Sequence, residues 1–296
     1  TYLFALMAMA LTLGSCSDNE NGIGGETSKY ITVSTSIGNM TRVATDEKGG
    51  QTFEEGDEIS VYAWTGDATV APETRERVVN NAINKLTNGS WVSTPQMLWK
   101  NNRDKHYFIG VYPISAISDL SAGEYTFDVN KQTESDLLVA VNKDGLSYNV
   151  DEQQTVPLTF THVMAKLVVN LTYKNQWGGI PTVEKVVVGN AAKEATINYL
   201  TKVVTPSTTA KEDFSLPEIT ENTKYVSVII PQEDVKQLTI VIGGKNFVYD
   251  NGTPFKLESG KITTVNLEVG RDEIKLGDVK ITDWENGSTF SGEALN

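Results

Sequence analysis

Val163-Met164-Ala165-Lys166-Leu167-Val168-Val169-Asn170-Leu171 carries an apolar or small side chain at every second position, 163, 165, 167, 169 and 171. Successive strand side chains point to opposite faces, so a period of two reads as a strand with one face in a core. The same alternation recurs on both sides of this stretch. Upstream it marks Ile31, Val33, Thr35 and Ile37, then Ile59, Val61 and Ala63, then the runs 106–112, 125–129, 137–142 and 156–160. Downstream it marks 183–188, 195–200, 225–230, 238–242, 247–249, 262–269 and 279–284. Turn formers such as Asn88-Gly89, Ala122-Gly123 and Asp144-Gly145 fall between the runs, where the backbone needs positive φ. Helical spacing is nearly absent; one helix is expected over 75–86, from Val78, Val79, Ala82 and Leu86. The chain therefore reads as all-β, with strands enough for two antiparallel β-sandwich domains. Residues 29–161 are expected to form the first and 162–296 the second. No Pro, Gly or Ser linker marks the junction at Thr161-His162, so the two are expected to abut closely.

Ahead of the strands, the apolar run from Tyr2 to Leu13 leads into Leu13-Gly14-Ser15-Cys16, and Cys16 is the only cysteine. A spanning helix needs about 20 apolar residues. This shorter run, closed by small residues, matches the hydrophobic region of a bacterial lipoprotein signal. Beyond Cys16 the chain turns polar and glycine-rich through Gly25, which leaves no packed element around the thiol. Residues 1–15 are thus expected to be a lipoprotein signal peptide, Cys16 the lipidated first residue of the mature protein, and 16–28 a flexible tether. No Met or basic segment precedes Thr1, so the signal is expected to start upstream of it. With its one thiol carrying lipid, the protein has no disulfide to draw on, and stability must come from core burial and sheet hydrogen bonds.

Against 25 Lys and Arg stand 38 Asp and Glu, a net charge of -13, and the basic residues are scattered singly. That lacks the electrostatic footprint of a nucleic-acid binder, and no nucleic-acid partner is expected. The two histidines, His106 and His162, have no spacing partner for a metal site. His106 reads as a solvated strand-end residue and His162 as a structural residue at the domain step. Glu54-Glu55-Gly56-Asp57-Glu58 could supply paired carboxylates, but its central glycine before a strand favours a charged turn. Gly243-Gly244-Lys245 lacks the upstream glycine of a phosphate loop and reads as a hairpin turn. No enzyme and no cofactor are expected. Trp64, Trp91, Trp99, Trp177 and Trp284 could stack on sugar faces, the alternative of a surface glycan-binding lipoprotein; tryptophans in such strands more often fill cores.

Several segments occur in a telling order: the run ending at Cys16, Asn39-Met40-Thr41-Arg42 ahead of Phe53-Glu54-Glu55-Gly56-Asp57-Glu58-Ile59, Gln132-Thr133-Glu134-Ser135-Asp136-Leu137-Leu138, the stretch 156–167, and Ile281-Thr282-Asp283-Trp284. Together they resemble the fimbrillin-like lipoproteins that build the type V pili of Gram-negative gut and oral anaerobes. The resemblance implies two transthyretin-like sandwiches and a surface-exposed outer-membrane lipoprotein, held through lipid on Cys16. It implies other pilus subunits as partners, in a homo- or hetero-polymer, and adhesion to a host or bacterial surface ligand. It also implies maturation by an arginine-specific protease at Arg42, with Lys48 as fallback. Cleavage would release the first strand, with Ile31, Val33 and Ile37, and open a groove for a strand from a neighbour. The donor would lie within 274–296, where Val279 and Ile281 alternate well and Phe290 and Ala294 more weakly; the other reading of 279–284 is simply the last strand of the second domain. An anchor or tip component would keep its first strand or lack a donor.

Overall fold

The computed structural model describes residues 29–38, 52–149, 152, 154–250 and 252–284; Cys16, Arg42, Lys48, Phe290 and Ala294 lie outside them. The first half contains β1 (Thr32–Ile37), β2 (Glu58–Thr65), β3 (Arg77–Thr87), β4 (Ser90–Thr94), β5 (His106–Tyr112), β6 (Gly123–Thr126), a single helical turn α1 (Gln132–Ser135), β7 (Leu138–Leu146) and β8 (Thr155–His162). The second contains β9 (Ala165–Tyr173), β10 (Val183–Ala192), β11 (Glu194–Asn198), β12 (Val203–Pro206), β13 (Lys211–Ser215), β14 (Glu218–Thr220), β15 (Lys224–Ile229), β16 (Gln237–Ile242), β17 (Lys245–Asp250), β18 (Lys261–Val269) and β19 (Ile274–Asp283). The protein is all-β, and the period-two runs of the sequence become its strands.

Seven strands of the first half form one sheet in the order β1-β8-β7-β5-β2-β3-β4. The second half has a five-stranded sheet, β14-β15-β9-β18-β19, and a four-stranded sheet, β13-β10-β16-β17. Pairing is antiparallel except for β1 on β8 and β18 on β9, which run parallel. A three-stranded sheet, β12-β11-β6, joins the halves, because β6 pairs with β11 across the sequence junction.

The centre of the seven-stranded sheet is buried on both faces. Along β2, Ile59, Val61 and Ala63 enter one cluster with Ile31, Val33, Met97, Phe108 and Phe160. Their neighbours Tyr62 and Trp64 enter another, which continues through Ile109 and Val111 into β9, β10, β15, β16 and β18. Both halves thus share one continuous apolar cluster. At the step between them Val163 and Met164 are buried, and Val163 donates its N–H to the Leu137 carbonyl at 3.0 Å. Gln132 adds a second tie: its Oε1 accepts the Val228 N–H at 2.7 Å, and its Nε2 donates to Ser227 Oγ and the Val129 carbonyl. One side-chain amide so completes the backbone pairing that β15 lacks there.

The helix expected over 75–86 is a single 3-10 turn, Thr74–Glu76, followed by β3. The misleading signal has a physical source. Asn81 takes a left-handed φ of 54°, and the β2–β3 register slips between Val61↔Ala82 and Ala63↔Val79. The extra residue of this bulge turns an i, i+2 pair of buried positions, Val79 and Ala82, into an i, i+3 pair that mimics a helix. The strand expected at 125–129 begins and ends earlier, at Gly123–Thr126. Gly243 and Gly244, with φ of 58° and 72°, form the two-residue turn between β16 and β17 that their sequence suggests.

Candidate assembly site

The first strand is rich in β-branched residues, Ile31, Thr32, Val33, Thr35 and Ile37, and it sits at the edge of its sheet. On one side it has a six-residue parallel ladder with β8, from Thr32↔Thr155 to Ile37↔Phe160, extended by the Gly38 N–H to the Phe160 carbonyl at 2.8 Å. Its other side is held where it enters. Ile31 donates its N–H to the Met97 carbonyl at 2.9 Å, Trp99 donates to the Lys29 carbonyl, and Tyr30 bridges Leu98. Farther along, Trp91 Nε1 donates to Thr35 Oγ1 at 3.0 Å. The strand therefore lies in a slot between β8 and residues 91–99.

Ile31 and Val33 point into the slot and are 2% and 6% exposed; Ile37 is only half-buried. The floor is tight. A Cβ on Gly110 would meet Phe160 Cζ at 2.7 Å, so this position needs glycine for the ring to lie against β5. At the exit end Phe53 makes edge contacts with Trp91, Tyr112 and Phe160, at centroid distances of 5.3, 5.4 and 5.1 Å, and closes the slot beneath the point where the chain leaves at Gly38. In the sequence Phe53 simply precedes an acidic segment, and nothing local marks it as the residue that closes the slot.

The C-terminal strand is different in kind. β19 pairs antiparallel with β18 at the edge of the five-stranded sheet, yet nine of its ten residues are exposed and only Ile274 is half-buried. Leu276, Val279 and Ile281 stand opposite Leu267, Val265 and Thr263, so they share a face with buried side chains but overhang the core at 37–38% exposure. On the sheet, Asn170 donates to Asn266 and Asn266 donates to Asp278, a polar row that ties β19 across β18 to β9.

The remaining candidate residues are structural. His106 is fully buried, not a solvated strand end: its Nε2 accepts the Lys100 N–H at 3.0 Å and its Nδ1 faces the Asp104 carbonyl. Burial pushes its imidazole below the ordinary value, against the opposing pull of the Asp104 carbonyl. The segment between β4 and β5 folds back far enough to enclose it, with the Trp99 ring edge-on at a centroid distance of 5.0 Å, which strand position alone could not reveal. The acidic segment is a turn: Asp57 Oδ2 accepts the Glu54 N–H at 2.7 Å, Glu55 accepts the N–H groups of Asn88 and Gly89, and Glu58 pairs with Lys85. Among the described residues no group of three or more His, Cys, Asp or Glu side chains is placed to hold a metal ion, and no helix is long and apolar enough to cross a membrane. Trp64 and Trp99 are buried and Trp91 is half-buried under Phe53, so these three form no exposed stacking platform.

Residues 41–284 match the model of the fimbrillin-like family. The chain belongs to that family. Among curated protein sequences none matches it. Solved structures share the fold: one described as a cell adhesion protein from Bacteroides uniformis superposes with a TM-score of 0.64 at 19% identity, over 87% of this chain and 100% of that one. A second, from Bacteroides ovatus, gives 0.62 at 18% identity over 86% and 98%. A fimbrial protein from Bacteroides vulgatus gives 0.52 at 13% identity over 86% and 99%. For this fimbrillin-like chain the two features of interest are a first strand seated in a slot and a last strand that is hardly buried at all.

Proposed function

We propose that this protein is a structural subunit of a cell-surface fimbria, exported as a lipoprotein through Cys16 and assembled with other subunits by strand exchange. In this reading a protease cuts after Arg42, the segment carrying the lipid and β1 departs, and a strand from a neighbour fills the slot on β8. The observation that carries it is the seating of β1: an edge strand, laddered along one side, with two aliphatic anchors in the core and an exit at Gly38, four residues before Arg42. A vacated slot would present unpaired backbone on β8 and empty pockets for Ile31 and Val33. Such an edge captures an incoming strand by main-chain hydrogen bonds, with register set by alternate side chains.

β19 supports the other half of the reading. A strand whose apolar stripe of Leu276, Val279 and Ile281 is uncovered has little to lose by exchanging partners. The test is N-terminal sequencing of protein from the cell surface, together with treatment of the purified chain by an arginine-specific protease. Wild-type protein should begin at Val43 in polymer ladders, and Arg42→Ala should block both the cut and the ladders. Wild-type polymer with an intact Arg42-Val43 bond would exclude the mechanism. Deleting residues 287–296 should stop chain growth in a stalk subunit; unchanged growth would assign a terminal role.

A further inference from the structure

Three of the segments singled out in the sequence, 132–138, 156–167 and 281–284, meet at one point. His162, at the end of β8, stacks face to face on the Trp284 indole with centroids 3.9 Å apart and planes 6° apart. Asp136 fixes the imidazole: its Oδ1 lies 2.8 Å from His162 Nδ1. Lys166 Nζ lies 4.6 Å from the centroid of the Trp284 ring, within cation–π range. The Trp284 N–H donates to the Gly260 carbonyl at 2.9 Å, and Asp283 pairs with Lys261. The turn that receives it is itself pinned to the step between the halves, by Ser259 Oγ to the Val163 carbonyl and the Gly260 N–H to the Met164 carbonyl. His162 Nε2 is buried with no hydrogen-bond partner among the described residues, and the contacts that fix the ring there are the Asp136 carboxylate and the Trp284 face.

Trp284 is 9% exposed, directly after a strand with nine exposed residues out of ten. Side-chain burial that β19 lacks along its length is concentrated at its end. We propose that the Asp136–His162–Trp284–Lys166 cluster is a clasp that keeps β19 docked in the free subunit, so that opening of the clasp releases β19 as one unit. Its consequence for assembly, that the clasp restrains the donor until subunits meet, rests on the donor-strand reading above.

An edge strand held by a ladder alone frays at low cost, whereas one closed by an aromatic stack opens only when the stack does. Hydrogen exchange read by mass spectrometry on the full chain tests this. Trp284→Ala should speed exchange over 274–283 at least tenfold while β9 and β15 keep their wild-type protection. Two truncations serve as the second measurement: a chain ending at Trp284 should protect β19 like the full chain, and one ending at Asp283 should not. Equal exchange in the two truncations would overturn the clasp. So would a loss of protection spread over β9 and β15, which would make Trp284 an ordinary core residue. In a parallel polymerisation assay with arginine-specific protease, Trp284→Ala should form ladders faster than wild type. If neither forms ladders while β19 is freed, the donor reading fails and the clasp stands. If β19 is freed and ladders form at the wild-type rate, the restraint on assembly is refuted.

Discussion

Replacing Ile31 and Val33 by alanine should loosen β1 while leaving the rest of the sheet folded. Both side chains lie in the cluster with Met97, Phe108 and Phe160. Truncating a buried Ile to Ala costs about 2–5 kcal/mol, from lost transfer energy and the cavity left behind. Val33→Ala adds about 1.6 kcal/mol for two methyl groups before any cavity is counted, at roughly 0.8 kcal/mol each. The two positions share a cluster and so couple, which makes the sum of about 4–7 kcal/mol an order of magnitude, with its lower end the safer figure. The loss falls on a local opening because β1 is an edge strand: its departure breaks the ladder to β8 and the contacts to residues 91–99, and leaves the pairing of every other strand in place. At about 1.4 kcal/mol per tenfold, the opening equilibrium should shift by about three powers of ten or more. Native-state hydrogen exchange can read this directly, with peptides over 29–37 and 155–160 set against peptides over β2 and β5. Acceleration of β1 by less than tenfold would refute the idea that these two side chains hold it. Equal acceleration of β2 and β5 would refute the idea that it leaves alone.

Gln132→Leu should cost about 1–3 kcal/mol in denaturant unfolding, the usual penalty for orphaning a buried partner, since the Val228 N–H and Ser227 hydroxyl lose their amide. A loss below about 0.5 kcal/mol would show that water replaces it. His106 gives a pH dependence. Its native value is held below the ordinary 6.5, so the unfolded chain takes up the proton first as pH falls. Stability is then full above about pH 6.5 and declines as pH drops from there through the lower native value. Unfolding free energies measured between about pH 8 and pH 5 should show this slope in wild type and a smaller one in His106→Gln; identical slopes would remove His106 as the cause.

How much of this protein is legible in its sequence differs by element. Runs such as 106–112 and 163–171 are strands because their own alternation says so, and both appear as β5 and β9 within a residue or two. Where the alternation is interrupted the sequence misleads, as at Asn81, whose bulge only the partner strand β2 explains. The candidate site divides in the same way. The apolar faces of β1 and β19 are visible in Ile31, Val33, Val279 and Ile281, but that one pair is buried and the other overhangs depends on what lies across from them.

The sequence alone determined the strand content, the acidic balance, the turns and the set of segments shared with fimbrillin-like proteins, because each is set by neighbours a few residues apart. Tertiary structure alone decided that β1 runs parallel to a strand 123 residues away and that Asp136, His162 and Trp284 share one contact. Pairing direction and long-range contact arise from which surfaces remain uncovered once every strand has formed. No local pattern carries that information.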